Sequence, residues 1–132
     1  MLLRGALRIF KTRLFAKFAR LERIPDASLR EAIERAGRGL IDADLGGGVI
    51  KQRVGRQGQG RSRGYRTLIA YRFGEFAVFL FGFAKSDSDN IDASELYVLR
   101  ANAGQWLADS SKIAKDAGAG ILIEVKDDDD KG

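Results

Sequence analysis

The sequence predicts a small α+β fold: an N-terminal helix hairpin packed on a small antiparallel β-sheet, closed by a C-terminal helix. Three observations carry this prediction. Two stretches of helical period stand early in the chain and one stands late. Between them lie three strand-like runs, two of them joined by a tight turn. The chain has 132 residues, enough for one modest core, and neither a repeat nor a linker divides it. Residues 1–125 therefore read as a single domain, with an acidic tail over 126–132.

Each element follows from local chemistry. Arg8–Lys11 reads as a short early strand. Thr12 is placed to cap a helix whose apolar stripe is Leu14, Phe15, Phe18 and Leu21. "RIPDASLREAIERAGRG" reads as a second helix. Asp26 is its expected N-cap, Leu29, Ile33 and Ala36 its buried face, and Gly37 and Gly39 its end. "DLGGG" (Asp44–Gly48) reads as a loop. "VIKQRV" (Val49–Val54) alternates as a strand, with Val49, Lys51 and Arg53 on one face and Ile50, Gln52 and Val54 on the other. "VGRQGQGRSRGYR" follows as an arginine-rich loop. "GYRTLIAYRF" and "FAVFLFGFAK" are further strands joined by a turn at "FGEF", where Gly74 can take a positive φ. The almost wholly apolar third strand is expected to be central and covered on both faces. "NIDASELYVLRANAGQWLA" is a helix with Asp92 and Glu95 at capping-box spacing. Leu96, Leu99, Ala103 and Trp106 share its inner face. "SSKIAKDAG" adds a helical turn and "GILIEV" an edge strand.

Composition narrows the function. The chain has no cysteine and no histidine. Disulfides, thiolate metal sites and imidazole-based triads are excluded. Catalysis is left to Lys, Arg, Tyr, Asp or Glu, and neither a metal nor a cofactor is expected. Asp42 and Asp44 read as solvated loop carboxylates rather than a cation site, and "LGGG" lacks the lysine and following helix of a P-loop. No apolar run approaches the roughly 20 residues of a membrane span. "MLLRGALRIF" shows no cleavage pattern, so a cytoplasmic protein without membrane contact is expected. "DDDDK" near the end matches an enterokinase site and is either a tag remnant or a native acidic tail, with no role in the fold.

The net charge of +5 is strongly segregated. Residues 1–23 carry seven basic and one acidic side chain, and residues 48–85 carry eight and one. Residues 24–47 carry three basic and five acidic, and residues 86–132 five and eleven. A basic half beside an acidic end fits a polyanion-binding face. Hairpin geometry sharpens this. A turn at Gly74–Glu75 pairs Phe73 with Phe76 and sets Arg66 opposite Phe83, with Lys85 diagonal on the same face. Folding the arginine loop about Gln59 brings Lys51 and Arg53 beside Tyr65–Thr67. Lys51, Arg53, Arg66 and Lys85 then gather at one end of the sheet, roofed by Arg56, Arg61 and Arg63. An RNA or DNA backbone supplies the charge such a cluster needs. Tyr65 and Tyr71 fall on the opposite face and read first as core, and Trp106 reads as buried.

"IFKTRLFAKFAR", "GLIDADLGGGVIKQRV", "GYRTLIAYR" and "FLFGFAKSDSDNI" together resemble the RelE/HigB branch of the RelE/ParE toxin superfamily over roughly residues 8–105. The resemblance implies the toxin of a bacterial type II toxin–antitoxin pair. It implies an endoribonuclease that cuts mRNA, often on the ribosome, and a cognate antitoxin that meets the helix hairpin. By motif position, the catalytic residues implied are Lys51, Arg53, Arg66 and Lys85. Family members often carry a further Arg or Tyr after the last strand. Here that region reads "SDSDNI", which leaves the acid open and makes Tyr65, Asp87 and Asn90 secondary candidates.

The implied reaction is attack of an RNA 2′-hydroxyl on the adjacent phosphorus, leaving a 2′,3′-cyclic phosphate and a 5′-hydroxyl. Arg66 suits the developing phosphate charge, because its planar fork binds phosphate in a bidentate way. Lys51 is the candidate base, since crowded cations favour loss of a lysine proton. Lys85 is the candidate to neutralise or protonate the leaving oxygen, and Arg53 to hold a flanking phosphate. Two other readings compete: a ParE-like gyrase inhibitor, and a non-catalytic or DNA-nicking nucleic-acid binder whose arginine–glycine loop grips backbone.

Overall fold

A computed structural model of the protein describes residues 7–56, 60–84 and 92–126, with only the backbone described at Arg56 and at residues 60–63. The chain runs β1 (Arg8–Thr12), α1 (Arg13–Leu21), α2 (Asp26–Gly37), β2 (Ala43–Gly46), β3 (Val49–Arg56), β4 (Gly60–Arg72) and β5 (Phe76–Ala84). It ends with α3 (Ala93–Ala108), α4 (Ser111–Gly118) and β6 (Leu122–Glu124). The described strands form one sheet in the order β2-β3-β4-β5-β1-β6.

The sheet is mixed rather than antiparallel, because β1 pairs with β5 in parallel. Thr12 explains how. It is both the last residue of β1 and the N-cap of α1, and its hydroxyl accepts from the Phe15 amide at 3.1 Å. The chain thus turns out of the sheet at once, and the slot beside β1 is filled much later by β5. The expected hairpin of helices is also different. α1 packs on β5 and α2 on β3, each on its own strand. Helices cover both faces. Phe15, Leu29 and Ile33 of α1 and α2 meet Val54, Ile69 and Phe79 on one face. Ala103, Trp106 and Ile113 of α3 and α4 meet Phe10, Leu68 and Val78 on the other. β5 lies inside the sheet with a core on either side, as its apolar run predicts.

Further details depart from expectation. Leu14 and Leu21 are 59% and 68% exposed, so the buried stripe of α1 is Phe15 and Ala19 with Phe18 at its margin. Pro25, not Asp26, occupies the N-cap position of α2, which has no side-chain cap. The Asp26 carboxylate instead accepts from Lys11 Nζ at 3.0 Å and from the Lys126 amide at 2.8 Å, tying the chain end to β1 and α2. Part of "DLGGG" is strand: β2 reaches Gly46, and Gly46, Gly47 and Gly48 all hold positive φ in the turn into β3. Asp92 does cap α3, with the full capping box to Glu95. α4 is a full helix, and β6 is an edge strand beside β1.

Two expected outcomes arise from this packing. A Cβ added at Gly82 would stand 2.5 Å from a ring carbon of Phe18 and 3.0 Å from one of Phe15. Gly82→Ala is therefore expected to cost about 1–3 kcal/mol through overpacking, read as a lower midpoint in urea. At the other edge, Arg8 binds Glu124 through both Nε and Nη2, at 2.9 and 2.8 Å. That hydrogen bonding holds the Glu124 carboxyl below the usual carboxylate range. A depressed folded value gives stability that is present above the unfolded value, roughly 4.3, and is lost as pH falls through the folded one. Glu124→Gln is expected to flatten the acid limb of a stability–pH curve by at most about 1 kcal/mol, because the pair is solvent-exposed.

Candidate active site

The basic residues come together through strand register. β3 and β4 pair so that Arg53 faces Arg66, Gln52 faces Thr67 and Lys51 faces Leu68. On the other side of β4, Arg66 faces Phe83. Paired residues share a face, so Lys51, Arg53, Arg66 and Phe83 lie on the side of the sheet that carries Leu68 and α3. The Arg66–Phe83 pairing arises by a different route from the one expected. Next to the turn, Arg72 pairs with Phe76, one residue out of the expected register. A bulge between Leu68 and Ile69 restores it, so the far end of the hairpin matches although the near end does not.

Two arginines directly across a strand pair repel one another, and one of them is compensated. Asp42, in the connection from α2 to β2, accepts from the Arg53 amide at 2.7 Å and from Arg53 Nε at 3.4 Å. Asp42, read from the sequence as a solvated loop residue, is thus an anchor of this site. Arg66 makes no ion pair among the described residues and is only half-buried. A guanidinium fork of this kind can bind an anion in a bidentate way.

Beneath these cations, on the α2 side of the sheet, a buried polar network sets the position of β3. Gln52 is fully buried; its Nε2 donates to the carbonyls of Ala32 and Leu40 at 2.9 and 3.0 Å, and its Oε1 accepts from the Asp42 amide at 3.1 Å. Thr67 Oγ1 donates to the Gln52 carbonyl at 2.8 Å. Arg35, buried and paired with Glu31, donates to the Arg53 carbonyl. Gln52 therefore pins the segment that carries Asp42, and Asp42 pins Arg53. The signal in the sequence was a glutamine on the same strand face as Ile50 and Val54.

The remaining candidates divide. Tyr65 lies on the opposite face from Arg66, 3% exposed, with its ring edge-on to Phe18 and its hydroxyl donating to Glu22 Oε1 at 3.0 Å. It belongs to the core and is not brought to the site. Tyr71 packs in the same core, and Trp106 is buried with Nε1 donating to Asp116 at 2.8 Å. The arginine-rich segment is less a loop than expected. β3 runs to Arg56, β4 begins at Gly60, and these two residues pair, so Arg56, Arg61 and Arg63 stand on strand arms of a long hairpin. Their side chains, and all of Lys85, Asp87 and Asn90, lie outside the described residues. Among the described residues, no group of three or more acidic side chains is placed to hold a metal, and no helix is long and apolar enough to cross a membrane.

No curated protein matches the chain. Residues 7–125 match the family model described as the RelE toxin of the RelE/RelB toxin–antitoxin system. That match takes in every described strand and helix, including the β3–β4–β5 hairpins that carry the basic cluster, and the chain belongs to the RelE toxin family, the toxins of toxin–antitoxin pairs.

Proposed function

We propose that the protein is an endoribonuclease that cleaves mRNA on the ribosome, stops translation, and is silenced by its cognate antitoxin. The observation that carries this reading is the pairing of Arg53 with Arg66 across β3 and β4, with one cation offset by Asp42 and the other without an ion pair among the described residues. Family membership supports the same chemistry, since toxins of this family are typically ribonucleases.

In this mechanism Arg66 grips the non-bridging oxygens of the scissile phosphate as they gain charge. Lys51, on the same face and two residues from Arg53, takes the proton of the attacking 2′-hydroxyl. The 2′-oxygen bonds to phosphorus, the bond from phosphorus to the 5′-oxygen breaks, and that oxygen takes a proton from Lys85. Arg53, held by Asp42, binds a flanking phosphate and fixes the strand. The hairpin arms bearing Arg56, Arg61 and Arg63 extend the electrostatic track along the backbone.

RNA 5′-end mapping in a cell-free translation extract tests this. Discrete new 5′-ends inside translated codons are expected with the purified protein and not when antitoxin is added first. Unchanged ends with translation intact would reject the nuclease and turn attention to DNA gyrase, through a supercoiling assay.

A further inference from the structure

An apolar groove of about 330 Å³ opens at the end of β5, lined by Leu14, Phe81, Val98 and Leu99, with Ser94 and Glu95 as its polar groups. Leu14 and Val98 are 59% and 55% exposed. Helix packing within the fold leaves these side chains to solvent. The groove adjoins the basic cluster: Phe83 pairs with Arg66, Phe81 pairs with Leu68 on the same face, and the two phenylalanine rings are 6.1 Å apart.

We propose that this groove is a nucleobase subsite that takes one unstacked RNA base carrying an exocyclic amino group. The inference rests on the nuclease reading for its ligand. Three features single out a base. A nucleotide whose phosphate sits at Arg66 has its base one sugar away, within reach of the diagonal neighbour Phe81. Single-stranded RNA is held by basic side chains along the backbone and aromatic faces for the bases, and both are present here side by side. The volume suits one flat ring system, whereas a docked helix needs anchors at i, i+3, i+4 and i+7 along a longer trough.

The polar groups select among bases. Ser94 spends its hydroxyl proton on Asp92 Oδ1 at 2.8 Å, and Glu95 Oε1 accepts only a long bond of 3.4 Å from the Asp92 amide. Among the described residues, what remains at the rim is acceptor: the Ser94 oxygen and the second Glu95 oxygen. A carboxylate there repels phosphate and accepts from the amino group of adenine, guanine or cytosine. Uracil has no such group and is disfavoured.

Binding and cleavage are read separately. The binding probe is a 2′-O-methyl trinucleotide with a central 2-aminopurine, which cannot be cut at its blocked 2′-oxygens. Its fluorescence is expected to be quenched by wild-type protein, and Val98→Trp, which fills the groove from an exposed helix position, is expected to weaken binding about fivefold or more, the size of one lost base stack. Circular dichroism checks that the variant is folded. In parallel, cleavage of an mRNA with randomised codons, translated in the cell-free extract, is expected to avoid uridine at one position beside the cut, and Glu95→Gln is expected to relax that bias. Quenching with no cleavage of translated mRNA would sink the nuclease reading and leave the groove. Unaltered probe binding by Val98→Trp, with an unaltered cleavage pattern in both variants, would overturn the groove and leave the nuclease. Loss of antitoxin neutralisation in Val98→Trp with unchanged RNA binding would also overturn it, assigning the groove to the protein partner.

Discussion

Alanine at Arg66 is expected to lower RNA cleavage by roughly a hundredfold or more, the usual cost of removing one preorganised donor to a developing oxyanion. The argument is geometric. Arg66 stands between Arg53 on β3 and Phe83 on β5, so its backbone is fixed by hydrogen-bonded neighbours on both sides. Among the described residues its side chain makes no ion pair that the substitution would break. The substitution should leave the unfolding midpoint nearly unchanged, or raise it slightly by relieving the repulsion with Arg53. Arg66→Lys retains charge without the planar fork and should recover only part of the rate. A second readout separates binding from chemistry: the dependence of RNA affinity on salt should become shallower by about 0.7 for one lost single-strand phosphate contact. Full cleavage by Arg66→Ala would remove the central residue of the proposed mechanism.

Replacing Gln52 by leucine should lower stability by about 1–3 kcal/mol, because the fully buried side-chain amide gives up three hydrogen bonds, of which the one to the Ala32 carbonyl is wholly buried. The side chain keeps its approximate size, so the loss is not one of volume. The carbonyls of Ala32 and Leu40 and the amide of Asp42 would all lose a partner. Urea unfolding should show a lower midpoint with an unchanged slope. Thr67→Val gives the scale of a single bond in the same network, about 1 kcal/mol. Gln52→Leu should also weaken cleavage at temperatures where the variant is still folded, because the segment bearing Asp42 is no longer pinned and Arg53 loses its anchor. A stable Gln52→Leu variant would show that the network is dispensable.

Much of the site was legible before any coordinates. The alternation of "VIKQRV" assigns Lys51 and Arg53 to one face and Gln52 to the other, and both assignments hold. The pairing of Arg66 with Phe83 was readable from turn position, but it holds because a bulge at Leu68–Ile69 cancels an error of one at the turn. Such a bulge leaves no mark in an apolar run, since either register buries the same side chains. Asp42 was legible as a carboxylate but not as the partner of Arg53, because that pairing joins a connection to a strand eleven residues on. Leu14 and Leu21 read as buried because helical period defines a stripe, not its width or what lies against it.

Local chemistry alone determined the strand faces, the Thr12 and Asp92 caps, the turn at Gly74, the apolar centre of β5 and the concentration of positive charge over residues 48–85. These depend on side-chain period, cap geometry and composition, all of which act within a few residues. Tertiary structure alone decided that β1 lies parallel to β5, that helices cover both faces, that Asp42 compensates Arg53 and not Arg66, and that an apolar groove adjoins the cationic face. Those outcomes depend on which distant surfaces meet. A strand's period states which face is apolar but not which neighbour hydrogen-bonds to its edge, and that choice is made by the packing of the whole chain.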